Sequence, residues 1–342
     1  MSESTLNISF KRIIKHSEFY VFLIIVVLMF IIQGLSGQFF SSNNISDLIR
    51  SLIVPSMYAL CAFITFLSTG PDVSFPLMAA LSSYLATMIT IKSGYNGPVI
   101  LVYIMAIFFG FLMGALNGFI ITKYKFNSLI VTLGTSSIYS GILLGAFSAE
   151  RTSLPKNMSK FGNAALISVK NSKTGITSYI PMAFLILIIL YAITYYILNY
   201  TMFGRGFYAI GGDEIAAERA GFNVNKIRFC AFCFSGIVAG IAGVTYTVLA
   251  QMCLPTEFSG REMLAIAAII LGGTRINGGV GTLTGCILGT LLLTMVQNSL
   301  ILVGISVYWQ NVIIGLIIIV GTAIPIIQNS LRENRALERR EA

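Results

Sequence analysis

The feature that most constrains this chain is a succession of uncharged apolar stretches, each close to span length, separated by short polar breaks. A hydrocarbon core about 30 Å thick is crossed by roughly 20 apolar residues of helix. The breaks place spans near 19–37, 47–68, 76–92, 98–122 and 127–147, then near 179–198, 227–250, 261–273, 279–301 and 304–325, the eighth being short. In lipid the backbone must satisfy its own N–H and C=O groups, so continuous runs of this length predict helices and argue against a barrel. The expected fold is all-α, a polytopic membrane bundle of about ten transmembrane helices forming one domain over residues 1–342.

Composition and charge agree. Only 10% of the 342 residues are charged and 56% are hydrophobic, against about 25% charged in soluble domains. The net charge of +9 comes from Lys and Arg scattered through short inter-span segments, with no basic face interleaved with aromatics, so no nucleic-acid partner is expected. With the N-terminus inside, 14 of the 22 basic residues fall on inner segments, which favours cytoplasmic termini. Five of the other eight sit on one long outer segment, 148–178. The expected inner segments are 1–18, 199–226 and the tail 326–342, in a multi-pass membrane protein. The apolar run 19–35 is nearer span length than a signal-peptide core and lacks a small-residue cleavage site, so it reads as a retained first helix.

Several chemistries are disfavoured. Cys230 and Cys233 have a redox or metal spacing but lie in an apolar run with no second pair or nearby His, and read as packing residues. His16 is the one histidine, and no paired carboxylates or nucleophile with a base can be assembled, so neither a catalytic nor a metal site is expected. No Gly-x-x-x-x-Gly-Lys-Ser/Thr loop occurs, and no inner segment is long enough for a nucleotide-binding domain. The Gly-rich stretch 271–282 has no Lys after it and reads as a turn between closely packed helices.

A faint internal repeat lays Gly110-x-x-x-Gly114 on Gly285-x-x-x-Gly289, an offset of 175 residues. Five spans separate the copies, so the second would be inverted relative to the first, a symmetry common in transport proteins.

Residues 203–222 carry the most informative polar segment. Gly211 and Gly212 permit a tight turn, Asp213 can cap a helix, and Glu214 to Ala220 reads as a short helix ended by Gly221. Such a small Ala-rich helix suits docking into another protein's groove, though a plain connector would look similar. Asp72 is the one carboxylate among apolar runs away from loops and chain ends. An intramembrane acid invites a functional reading, but its place between Pro71 and Pro76 favours capping of the third helix. Ser74, Asn117, Thr132, Thr135, Gln251 and Asn298 are neutral groups able to face a solute path or to bond neighbouring helices.

Residues 211–221, Gly-Gly-Asp-Glu-Ile-Ala-Ala-Glu-Arg-Ala-Gly, resemble the coupling-helix segment of the ribose-type branch of bacterial ABC importer permeases. In the same order, 69–74, 114–118, 129–135, 265–273 and 278–282 are similar to that family's motifs. The chain departs from the pattern near residue 70, where Pro71, Val73, Phe75 and Pro76 replace the usual Gly-Gly-Ile-Asp-Leu-Ser-Val-Gly. The resemblance implies a non-enzymatic permease subunit for a small polar solute, a monosaccharide above all. It also implies separate cytoplasmic ATPase subunits using ATP and Mg, an extracytoplasmic solute-binding protein, and a second permease copy or a related permease. No cofactor is expected in this chain. On this resemblance Asp213, Glu214, Ala216, Ala217, Glu218, Arg219 and Gly221 form the ATPase-coupling element of 199–226, and Asp72 and the six neutral groups are path candidates. The competing class is an ion-coupled carrier or channel, which needs ionisable residues in the bundle; Asp72 is nearly alone there.

Overall fold

The computed structural model describes residues 17–170, 177–306, 308–310, 312–317 and 319. Long helices account for most of it: α1 (Ser17–Ser36), α2 (Ser42–Ser68), α3 (Phe75–Lys92), α4 (Ile100–Tyr124) and α5 (Ser128–Gly141), which continues through a π-helical turn, Ile142–Ala146. Then follow α6 (Lys156–Gly162), α7 (Ala183–Tyr200), α8 (Met202–Gly212), α9 (Glu214–Arg219), α10 (Val224–Ala250), α11 (Arg261–Leu271) and α12 (Leu283–Leu302). Among the described residues, eight helices are long and apolar enough to cross a membrane, and they coincide with expected spans one to seven and nine. The expected eighth span is not one of them. Helix α11 has 11 residues, which at 1.5 Å per residue reaches about 16 Å, half a hydrocarbon core. Of the expected tenth span, the described residues 308–310, 312–317 and 319 are helical; its remainder from 320 on, residues 1–16 of the N-terminal segment and the tail lie outside the described residues.

Short polar caps set the helix starts. Ser41, Asn127, Thr201, Asp213, Asn223 and Thr282 each accept a first-turn amide through the side chain, at α2, α5, α8, α9, α10 and α12, satisfying donors that the helix itself leaves open. Among the described residues, strand structure is confined to two antiparallel pairs. β1 (Thr152–Ser153) pairs with β4 (Met252–Cys253), and β2 (Ala165–Lys170) pairs with β3 (Thr177–Pro181) from Lys170 opposite Thr177 to Ala165 opposite Pro181, with a bulge beside Ala165. Three of the four strands, and α6, belong to the long polar segment and its flank between α5 and α7.

Burial separates the core of the bundle from its lipid-facing wall. In α2, 83% of the apolar window is buried, and in α3 and α10 72%, against 17% in α1 and 28% in α5 and α7. Exposed Phe22, Phe30, Ile130 and Ile189 on the outer helices are what a hydrocarbon solvent requires. Since lipid provides no hydrophobic drive between helices, close packing must hold them together. The most extensive seam is α4 on α10. A Cβ at Gly236 would stand 2.2 Å from the Gly110 carbonyl oxygen, and one at Gly114 2.3 Å from that of Phe232. The other Gly pair makes the same kind of seam, Gly285 against Gly272 and Gly289 against Ala268 of α11.

The packing is reciprocal in the way a duplicated chain would be. Helices α3 and α4 lie on α10, helices α11 and α12 lie on α2, and α2 and α10 lie on each other. The 175-residue offset carries α2 onto α10 and α4 onto α12. Each half therefore supplies one buried helix around which the other half is built.

Candidate functional site

At one end of the bundle, α8 and α9 form a compact polar element. The chain leaves α7 at Thr201, whose hydroxyl accepts the Gly204 amide at 3.2 Å and starts α8. Gly211 and Gly212, expected in a turn, are instead the last residues of α8. The reason is contact rather than flexibility. A Cβ on Gly211 would lie 1.9 Å from the Leu67 carbonyl oxygen and 2.3 Å from the Gly279 amide nitrogen, whereas Gly212 has nothing within 4 Å. The Gly279 amide in turn donates to the Leu67 carbonyl at 3.1 Å. The Gly-rich turn before α12, the end of α2 and the end of α8 thus meet backbone to backbone.

Helix α9 is short but closed at both ends. Asp213 accepts the Ala216 amide at 2.9 Å. At the other end the Phe222 amide donates to Ala217 O at 3.1 Å and the Gly221 amide to Glu218 O at 2.9 Å, with Gly221 at φ +89°, the reverse-turn arrangement for which glycine suits this position. Ala217 is turned inward, 4% exposed, while Ile215 is 63% exposed and Ala216, Glu218 and Arg219 face outward with it. The seven expected coupling residues are therefore brought together, with different tasks: Ala217 seats the helix, Asp213 and Gly221 bound it, and Ile215, missed in the sequence reading, joins the outward face. Glu214 binds Arg228 of α10 through two bonds, 3.0 and 2.6 Å. Because both side chains are partly solvated, 22% exposed for Arg228 and 49% for Glu214, Arg228→Ala is expected to cost no more than about 1 kcal/mol. Thermal unfolding in detergent checks this.

Deeper in the bundle, five path candidates converge. The Asp72 carboxylate is fully buried; its Oδ1 accepts the Ser74 amide at 2.8 Å and the Ser74 hydroxyl at 2.7 Å, and its Oδ2 accepts the Ser235 hydroxyl at 3.0 Å. Asn117 Nδ2 donates to Ser74 Oγ at 2.8 Å. Thr132 accepts the Val73 amide at 3.3 Å, and Thr135 donates to the Thr132 carbonyl at 3.3 Å. The capping role expected of Asp72 needs correction. It takes the amide of Ser74, the residue before α3, and no first-turn amide of α3 is capped by the N-cap side chain. Its second oxygen ties the α2–α3 connection to α10 instead. Ser235 carried no sequence signal, being one hydroxyl in an apolar helix.

The two remaining candidates lie apart from this network. Gln251, in the left-handed conformation just after α10, accepts from Ser159 at 2.6 Å and donates to Val248 O at 2.8 Å, fastening α6 to α10. Asn298 donates to Asn44 at 3.5 Å, joining α12 to the start of α2.

Among the described residues, cavities flank the core. One, of about 520 Å³, opens beside α9 between Thr69, Pro71, Lys125, Asn127, Glu214 and Arg228. Another, of about 510 Å³, lies between α2, α11 and α12 and extends to the loop after α10; Tyr58, Glu257, Arg261, Thr290, Thr294 and Gln297 are among its walls. None of the sequence-derived path candidates lines either one.

Comparison with known proteins gives a consistent result. Residues 44–321 match the family described as branched-chain amino acid transport system / permease component. The chain is 32% identical over 322 residues to the ribose import permease protein RbsC of Haemophilus influenzae, covering 94% of this chain and 96% of that one. It is 31% identical over 310 residues to the autoinducer 2 import system permease protein LsrC of Enterobacter sp. strain 638, covering 90% and 86%. With RbsC of Escherichia coli K12 it shares 29% identity over 302 residues, 88% and 91% of the two chains. No solved structure matches significantly.

Proposed function

Because the chain belongs to the branched-chain amino acid transport system / permease component family, we infer that it is the transmembrane permease subunit of an ABC importer, forming the translocation path for a small polar solute of the monosaccharide class. Relatives named as ribose and autoinducer 2 import permeases support the import direction and the solute class. ATP hydrolysis belongs to separate cytoplasmic subunits, and solute arrives on an extracytoplasmic binding protein. A second permease copy, or a related permease, completes the path. The protein is a multi-pass component of the inner membrane, with its termini and α8–α9 on the cytoplasmic side.

The observation that carries this reading is α9, a closed, exposed helix of six residues with Ile215, Ala216, Glu218 and Arg219 facing away from the bundle. An exposed Ile on a small-residue helix loses little entropy on docking and gains buried apolar area. The helix is tied to the bundle through Ala217 and the Glu214–Arg228 pair, so a push on it is passed to α10. ATP-driven closure of the docked subunits would reach the path by that route.

The test is uptake by vesicles holding the permease, its ATPase subunits and its binding protein. Accumulation should require ATP and persist without an ion gradient; robust uptake on an ion gradient after ATP depletion would overturn the assignment. Thermal screening of the binding protein against pentoses, hexoses and nucleosides identifies the solute as the one that stabilises it.

A further inference from the structure

Asp72 is the carboxylate at the centre of the buried network, and nothing around it carries a positive charge. It is 0% exposed. The ion pairs among the described residues are Arg228–Glu214 and Arg261–Glu257. Arg228 shares α10 with Ser235 but lies seven residues before it, about 10 Å along the helix, and both its terminal nitrogens are engaged with Glu214. The titratable groups facing Asp72 are Cys61 on α2 and Tyr139 on α5. Both are weak acids, so ionisation of either would only add negative charge. Helices α3, α4 and α10 bring it no charged group.

An unpaired carboxylate in a low-dielectric interior loses far more solvation than a few hydrogen bonds return, and such a group sheds its charge by keeping a proton. Three donors do reach Asp72. One is an amide, which can only donate; two are hydroxyls, which accept as well as they donate. The two carboxyl oxygens are not used alike. Oδ1 takes the Ser74 amide at 2.8 Å and the Ser74 hydroxyl at 2.7 Å, which fills both its lone pairs. Oδ2 has one partner, Ser235 Oγ at 3.0 Å, long against the roughly 2.5–2.7 Å of a hydroxyl on a charged oxygen. Oδ2 therefore has a seat for a proton, with a hydroxyl in front of it that can accept.

We propose that Asp72 is held as the neutral carboxylic acid, its proton on Oδ2 and donated to Ser235, so that an uncharged bond latches α10 to the α2–α3 connection. The protonation state stands on the geometry alone, whereas the latch role rests on the permease reading, in which α10 takes the load from α9 through Arg228. A neutral bond is broken and remade as α10 shifts without leaving a bare charge in the bundle; a carboxylate parted from its donors would be stranded there. Asp72 is a positioning residue in this account. It keeps its proton throughout and passes none to a solute.

The chain contains three aspartates, and the other two, Asp47 and Asp213, are exposed. Aspartate labelled with carbon-13 at the side-chain carboxyl therefore gives the purified full chain an infrared reporter with three sites. At about pH 8, far above the ordinary Asp value of about 3.9, the expected spectrum keeps one labelled carboxylic-acid carbonyl band beside the carboxylate bands of Asp47 and Asp213. Ser235→Ala should shift that band, since it removes the acceptor. Labelled carboxylate bands alone overturn the neutral acid, and a band that Ser235→Ala leaves unmoved overturns the latch. An independent check is thermal unfolding against pH. A proton held by the fold and released on unfolding makes the fold less stable as pH rises, so the midpoint of the unaltered protein should fall relative to that of Asp72→Asn between about pH 5 and pH 8. A difference that stays constant over this range means that Asp72 is ionised in the folded and unfolded chain alike, and overturns the proposal. Neither measurement involves transport, so the permease assignment stands whichever way they fall.

Discussion

Gly211→Ala is expected to abolish uptake, and Gly212→Ala, one residue along the same helix, to leave it near normal. The two substitutions add the same methyl group and have the same effect on helix propensity, so propensity cannot separate them. Their surroundings do. At Gly211 the new carbon would stand 1.9 Å from the Leu67 carbonyl oxygen and 2.3 Å from the Gly279 amide nitrogen; at Gly212 it meets nothing within 4 Å. Neither obstacle at Gly211 is a side chain that could change rotamer. Relief requires α8 to move off the end of α2 or the Gly278–Gly279 turn to open, and overpacking of this kind costs about 1–3 kcal/mol, occasionally more. The displacement falls on the segment that carries α9. Uptake should drop at least tenfold in Gly211→Ala, with a lower thermal midpoint and continued ATP hydrolysis by the assembled complex. Equal uptake in the two variants would show that the α2–α8 contact plays no part in transmission.

The second large effect concerns Asp72, where the choice of replacement separates the transport mechanisms. Asp72→Ala leaves the Ser74 amide and the hydroxyls of Ser74 and Ser235 without the acceptor that all three share. At about 1–3 kcal/mol for each buried group left unsatisfied, this variant should lose most of its stability and its uptake. Asp72→Asn keeps an oxygen for Ser74 and presents an NH2 to Ser235 Oγ, which as a hydroxyl can accept as well as donate. It should therefore fold and transport within a few-fold of the unaltered protein. An ion-coupled carrier predicts the opposite, since a carboxylate that takes up and releases a proton cannot be replaced by an amide. Near-normal ATP-driven uptake by Asp72→Asn would dispose of that mechanism; a folded but inactive Asp72→Asn would revive it.

The departure near residue 70 acquires a physical meaning from this network. Pro71 and Pro76 bracket the turn in which Asp72 sits, and Pro76 occupies the first turn of α3, where no amide donor is missed. Asp72 then supplies from its side chain the acceptor that holds the Ser74 amide. Ser235 reaches the same carboxylate from 163 residues away. Distance along the chain is why Ser235 went unnoticed: nothing in the run 227–250 distinguishes it from the other hydroxyls there, Thr245, Tyr246 and Thr247. Asn117 and Thr132 were legible as uncharged polar groups in apolar runs, but not as neighbours of one carboxylate.

Helix α9 shows the opposite case. Its start at Asp213 and its end at Gly221 were readable because capping is a local event, decided within a few residues. What could not be read was that Ala217 turns inward and Ile215 outward, because six residues make too little helix for a periodic pattern to declare a face. The short α11 was visible as a short apolar run, yet its end at Leu271 and the packing of the Gly-rich turn that follows it on Leu67 and Gly211 needed the structure.

The sequence by itself determined that this is a membrane protein, that its elements are helices, and where eight of them run, because hydropathy accumulates along the chain and lipid leaves the backbone no alternative to internal hydrogen bonding. Only the tertiary structure decided which apolar stretches are core, which glycines are contacts, and which polar side chains share a site. Those properties depend on the relative rotation and approach of helices. In a bundle without a hydrophobic drive between its members, rotation and approach are settled by close contacts such as Gly236 on Gly110 and Gly211 on Leu67, whose partners lie more than a hundred residues apart.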